Sequence, residues 1–192
     1  MAEYRLDYEF IKDRYDSELA RKDKLSDSLG LPISVLIVLG GLAVTMLQGF
    51  SRSNRILTMI FFAIIVIGAV AFVRCLWYFA KAYHGQTYSQ LPKMNDMYRV
   101  LQQYGEYYEE SGGDEQQAES DFEDNLRFRM IEAVDQNLTS NNKRLEFLHE
   151  GIVWLFVLLV GTAAAAVPYA IDRVVAPEKI PVVHIDNLDA TR

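Results

Sequence analysis

Three stretches of this chain carry no charged side chain at all: residues 31–49, 56–73 and 151–171. An α-helix of about 20 apolar residues crosses a hydrocarbon core of roughly 30 Å, and each stretch meets or nearly meets that length. A buried helix of a water-soluble protein is normally shorter and keeps a polar stripe. The composition hides this segregation: 51% hydrophobic and 23% charged residues average to a mean hydropathy of +0.02. The first apolar run begins 30 residues in, follows a charged segment and lacks a small-residue cleavage site, so it reads as a retained anchor rather than a secretory signal. The expected class is therefore an all-α membrane protein with three transmembrane helices and cytoplasmic helical, coiled-coil-like extensions. The lipid bilayer is its first partner. The formal charge of −7 argues against a nucleic-acid partner, which asks for a basic patch. Cys75, the single cysteine, cannot form an intrachain disulfide.

Five segments follow from this division. Residues 1–30 alternate acidic and basic side chains around Tyr4, Tyr8, Ile11, Tyr15 and Leu19, the spacing of an amphipathic helix. Residues 31–83 form a two-span hairpin joined by "QGFSRSNR", with Leu31-Pro32 at its entrance as an expected hinge, since proline is tolerated only in the first turn of a helix. Trp77, Tyr78, Phe79 and Tyr83 stand where an aromatic belt stands at the lipid–water boundary. Residues 84–150 are acidic, with 14 Asp/Glu against 6 Lys/Arg. They divide into a tyrosine-rich helix (Met94, Met97, Tyr98, Leu101, Tyr104, Tyr108), a "SGGDEQQ" loop, and a long helix starting near Glu115. That helix runs without a break into the third span, 151–171, and a tail of 172–192 follows, with a short strand expected at 180–185.

Within the long helix, Ile131, Val134, Leu138, Asn141, Leu145 and Leu148 repeat at alternating intervals of three and four. This is a coiled-coil seam with one polar position. It is expected to pair helices, either with residues 4–29 of the same chain or between copies in a homo-oligomer. Small residues offer close helix approach inside the spans: Gly40, Gly68 and Gly161 are the candidates. Arg74 is the sharpest single residue, because an ionisable group next to an apolar run is either functional or a snorkelling interfacial anchor. Neither a catalytic constellation nor a cofactor motif is apparent, so no enzyme activity, cofactor or metal is expected. The nearest approach to a metal-ligand set, His149 with Glu146 and Glu150, reads as a chance feature of a Glu-rich helix face. "NLT" at 137–139 matches a glycosylation acceptor but falls mid-helix.

Basic residues near the spans number eight on one side (Arg14, Arg21, Lys22, Lys24, Lys81, Lys93, Lys143, Arg144) and four on the other (Arg52, Arg55, Arg173, Lys179). The positive-inside rule then puts the N-terminus in the cytoplasm and the C-terminus outside. The stretch "SELARKDKLSDSLGLPISVLIVLGG", and above all "RKDKL" leading into "LPI", resembles small bacterial membrane proteins of the SLATT type, over roughly residues 10 to 110. The resemblance implies an inner-membrane effector of antiviral defence that forms a pore on a cytoplasmic trigger. The third span departs from the two-span pattern of that family. The alternative is a membrane anchor whose coiled-coil region recruits a cytoplasmic partner protein.

Overall fold

In the computed structural model, residues 6–52, 54–84 and 86–175 are described; the strand expected at 180–185 lies outside them. The described residues form five α-helices and no strand: α1 Tyr8–Asp27, α2 Gly30–Gly49, α3 Arg55–His84, α4 Met94–Ser111 and α5 Glu115–Val175. At 61 residues, α5 is about 90 Å long at 1.5 Å per residue, and each of the other four helices packs on it. The long helix starts at the expected residue and passes unbroken through residue 151 into the third apolar stretch.

α1 and α2 together form a near-continuous rod. Asp7 caps the start of α1 by accepting from the Glu9 amide. The interruption falls at Ser28-Leu29, one turn before Leu31-Pro32. Pro32 has no N–H for the Ser28 carbonyl four residues back, and its ring crowds that carbonyl. Ser28 and Leu29 nevertheless keep right-handed helical dihedrals, so the step is a slight break and not a corner. The rod runs parallel to α5, from Ile11 beside Met130 and Ala133 to Gly49 beside Tyr169 and Arg173. α3 returns antiparallel on α5, with Phe61 near Ala165, Gly68 near Leu158, Cys75 on Gly151 and Ala82 on Arg144. Pro92 and the Lys93 cap delay the start of α4 to Met94. It ends at Gly112, whose φ of +73° is the left-handed cap that glycine adopts at least cost.

Burial inverts along the molecule. In α1 and the first half of α5, apolar Ile11, Tyr15, Met130 and Ala133 are inside. In the apolar stretches many large apolar side chains face outward, among them Ile37, Ile56, Val66, Ile67, Val70, Phe156 and Val160, while Leu36, Leu39, Phe61 and Leu158 pack inside with small Ala71, Cys75, Gly151, Thr162 and Ala165. Outward-facing apolar surface on this scale is unstable in water and natural in lipid. Among the described residues three helical stretches, the α1–α2 rod, α3 and α5, are long and apolar enough to cross a membrane. From Gly151 to Asp172 α5 rises about 32 Å, and from Arg55 to Arg74 α3 rises about 29 Å, both close to a hydrocarbon thickness.

A buried polar lock as the candidate functional site

Where α1, α5 and the end of α3 meet, at the polar end of the apolar slab, the interior is not apolar. Asn137, Asn141 and Arg144 follow one another on a single face of α5, and all three are buried. The Asn137 amide pairs in both directions with the backbone of Ser89, accepting from its N–H (2.9 Å) and donating to its carbonyl (3.0 Å). Asn141 donates to the Glu18 carbonyl (2.9 Å) and carboxylate (2.8 Å), and accepts from the Tyr88 hydroxyl (2.7 Å). Ser140 donates to the Thr87 carbonyl (2.8 Å), and the Tyr15 hydroxyl accepts from the Leu91 amide (3.2 Å). The irregular segment 86–91 is thus held to α5 and α1 by side chains, which replace the ladder partners it does not have.

Arg144 is the centre of this arrangement. Its Nε donates to the Ala82 carbonyl of α3 (2.8 Å), Nη1 to the Lys22 carbonyl of α1 (3.3 Å) and to Tyr88 (3.1 Å), and Nη2 to the Ser26 hydroxyl (2.9 Å). Ala82 lies in the last turn of α3, where carbonyls lack intrahelical donors and the helix dipole is negative. A buried guanidinium is costly unless its donors are met; here three elements supply oxygens to it. Glu18, also buried, takes Asn141 and sits 3.6 Å from Arg21. Two turns further toward the slab, the Cys75 thiol donates to the Gly151 carbonyl (3.4 Å), and a Cβ at Gly151 would lie 2.4 Å from the Phe79 ring.

At the other end of the slab, buried Asp172 accepts from the Ser51 amide (2.6 Å) and hydroxyl (2.7 Å). Phe50 stacks on Phe61 with centroids 4.2 Å apart. The turn between α2 and α3 is therefore pinned to α5 by a carboxylate that the sequence reading assigned to the tail.

Within the chain, the packed face of α5 is partly offset from the expected repeat. Met130, Ala133, Asn137, Asn141, Arg144, Leu148 and Gly151 face the other helices. Of the expected set, Asn141 and Leu148 share that face; Ile131, Val134 and Leu138 are half-buried at its flank, and Leu145 is exposed. The cause is chemical: a hydrophobic repeat selects the most apolar line, whereas this interface has to satisfy carbonyls and amides of α1, α3 and residues 86–91. The 3-4 spacing was the available signal, with asparagines and an arginine occupying it.

Gly40, Gly68 and Gly161 do come together, all lining one apolar groove of about 490 Å³ between α2, α3 and α5. Only Gly40 makes a close approach, to the Phe72 ring; at Gly68 a Cβ would make ordinary contact and at Gly161 it would meet open space. Arg74 does not line this groove. It is exposed on α3, with its guanidinium 5.7 Å from the centroid of the Trp154 ring. Asn137, the acceptor of "NLT", is buried and fully bonded. No family model, curated protein or solved structure matches this chain.

Proposed function

We propose that the chain is a multi-pass membrane effector of the bacterial inner membrane, in which a cytoplasmic helical body governs the packing of three spans. Several copies together would raise the permeability of the bilayer. The observation that carries this reading is the Arg144 clasp. One side chain of the helix that becomes span three holds a carbonyl of the rod leading into span one and a carbonyl at the end of span two. A partner that displaced α1 would therefore act on all three spans at once, through elements that pack on one another. Three spans are too few to enclose a water-filled path, so the conduit belongs to an assembly of copies.

The test is expression of the full chain in bacteria loaded with a potential-sensitive dye. Depolarisation is expected for the wild type. R144Q is expected to lose most of it while the protein still fractionates with membranes and keeps its helicity. Unchanged potential with wild-type protein in the membrane would overturn the permeability reading. It would leave the anchor reading, which the partly uncovered α4 favours: no residue of that helix is buried, and Met94, Tyr98 and Tyr107 are exposed.

A further inference from the structure

Arg74 and Lys81 are seven residues apart on α3, two turns or about 10 Å along the axis, and they share one exposed face. Each is held over aromatic rings. Arg74 lies 5.7 Å from the Trp154 centroid, and the Lys81 ammonium lies 5.2 Å from that of Trp77 and 5.6 Å from that of Phe147. Neither makes a salt bridge to any described carboxylate. Trp77 is exposed between them, and Val70 and Val73 are exposed on the apolar side of Arg74. The patch is therefore cationic over two turns of α3, with aromatic rings between the cations and apolar surface beneath Arg74.

A guanidinium at the edge of an apolar slab, with no acceptor from its own protein, takes its counter-charge from outside. The edge of a bilayer offers phosphodiesters. Ring faces at that level hold cations through their quadrupoles and sit among headgroups. The apolar step beneath the cations fits an amphiphile better than a free anion. The acidic body on the same side, 14 Asp/Glu against 6 Lys/Arg over residues 84–150, would repel an anionic surface, so a local attachment offsets that repulsion.

We propose that Arg74 and Lys81, framed by Trp77, Phe147 and Trp154, bind the headgroup of an anionic phospholipid in the leaflet facing the polar body. This rests on the reading that the apolar helices cross a bilayer. The two tryptophans of the chain, Trp77 and Trp154, both stand at the site, so tryptophan fluorescence excited beyond the tyrosine absorption reports on it. The full chain is placed in phosphatidylcholine–phosphatidylglycerol vesicles, with brominated acyl chains on one lipid class or the other at equal mole fraction. Brominated phosphatidylglycerol is expected to quench as if enriched at least about five-fold, the factor one basic residue contributes near an anionic surface. The R74Q/K81Q pair is expected to bring that ratio near one. Inorganic phosphate, compared with chloride at equal ionic strength, should leave the preference intact.

Equal quenching of the wild type by both brominated lipids would overturn the proposal while leaving the membrane reading standing. Quenching by neither would overturn the membrane reading and the proposal with it. A preference abolished by inorganic phosphate, or fully retained in R74Q/K81Q, would also overturn the assignment. The wild-type comparison decides the matter even if the double variant does not fold.

Discussion

Residues 137, 141 and 144 of α5 occupy seam positions with polar side chains, and the reason lies in what they face. The end of α3 and the segment after it present backbone groups that no helix or strand satisfies, and a leucine there would leave them bare at about 1–3 kcal/mol for each buried group. Gly151, two turns beyond, follows the opposite logic, since space and not bonding decides it. A Cβ there would meet Phe79 at 2.4 Å, so G151A should destabilise the chain by about 1–3 kcal/mol, read as a lower unfolding midpoint in nanodiscs. G161A meets open space and should shift that midpoint little. Equal effects of the two substitutions would contradict the packing described for α3 on α5.

The helices themselves were largely legible in the sequence. The length of the uncharged runs, the Gly-Gly break and the start at Glu115 follow from local rules of hydropathy and capping. The lock was not legible, because Arg144 and Asn137 gain their meaning from partners 48 to 122 residues away in the chain, and a hydrophobic repeat passes over polar side chains. For the same reason the packed face is partly offset from the expected repeat, and Asp172 went unnoticed beside an apolar run. At the level of the elements, α4 is joined to α5 by the Tyr104–Phe122 contact and by the Tyr108 hydroxyl donating to Asp121. That hydrogen bond to a carboxylate holds the phenol above its ordinary pKa of 10.0, since it favours the protonated form. A raised pKa in the folded state means the contact contributes below the ordinary phenol range and is lost as pH rises through the higher folded value. Tyrosinate absorbance of the wild type should thus show one phenol titrating late that is missing in Y108F. Coincident titration curves, after correction for one tyrosine, would contradict the bond.

As a whole, the molecule is one long helix with everything else arranged along it, and the two ends of its apolar slab are pinned by different polar devices. At one end Arg144 gathers α1, α3 and the Tyr88 segment; at the other Asp172 holds the turn after α2. From Gly151 to Asp172, about 32 Å, the surface is apolar and outward-facing, close to one hydrocarbon thickness. The central claim is that this slab lies in a membrane, with the acidic body on one side and the connection between α2 and α3 on the other. Cysteine labelling tests it most directly. Cys75 is replaced by alanine and single cysteines are introduced at Ala20, Arg52 or Asn95, all exposed. A membrane-impermeant maleimide is then applied to cells with an opened outer barrier. The expected result is labelling of R52C in intact cells, with A20C and N95C labelled only after the membrane is permeabilised. Labelling of R52C and N95C from the same side would contradict the three-span arrangement.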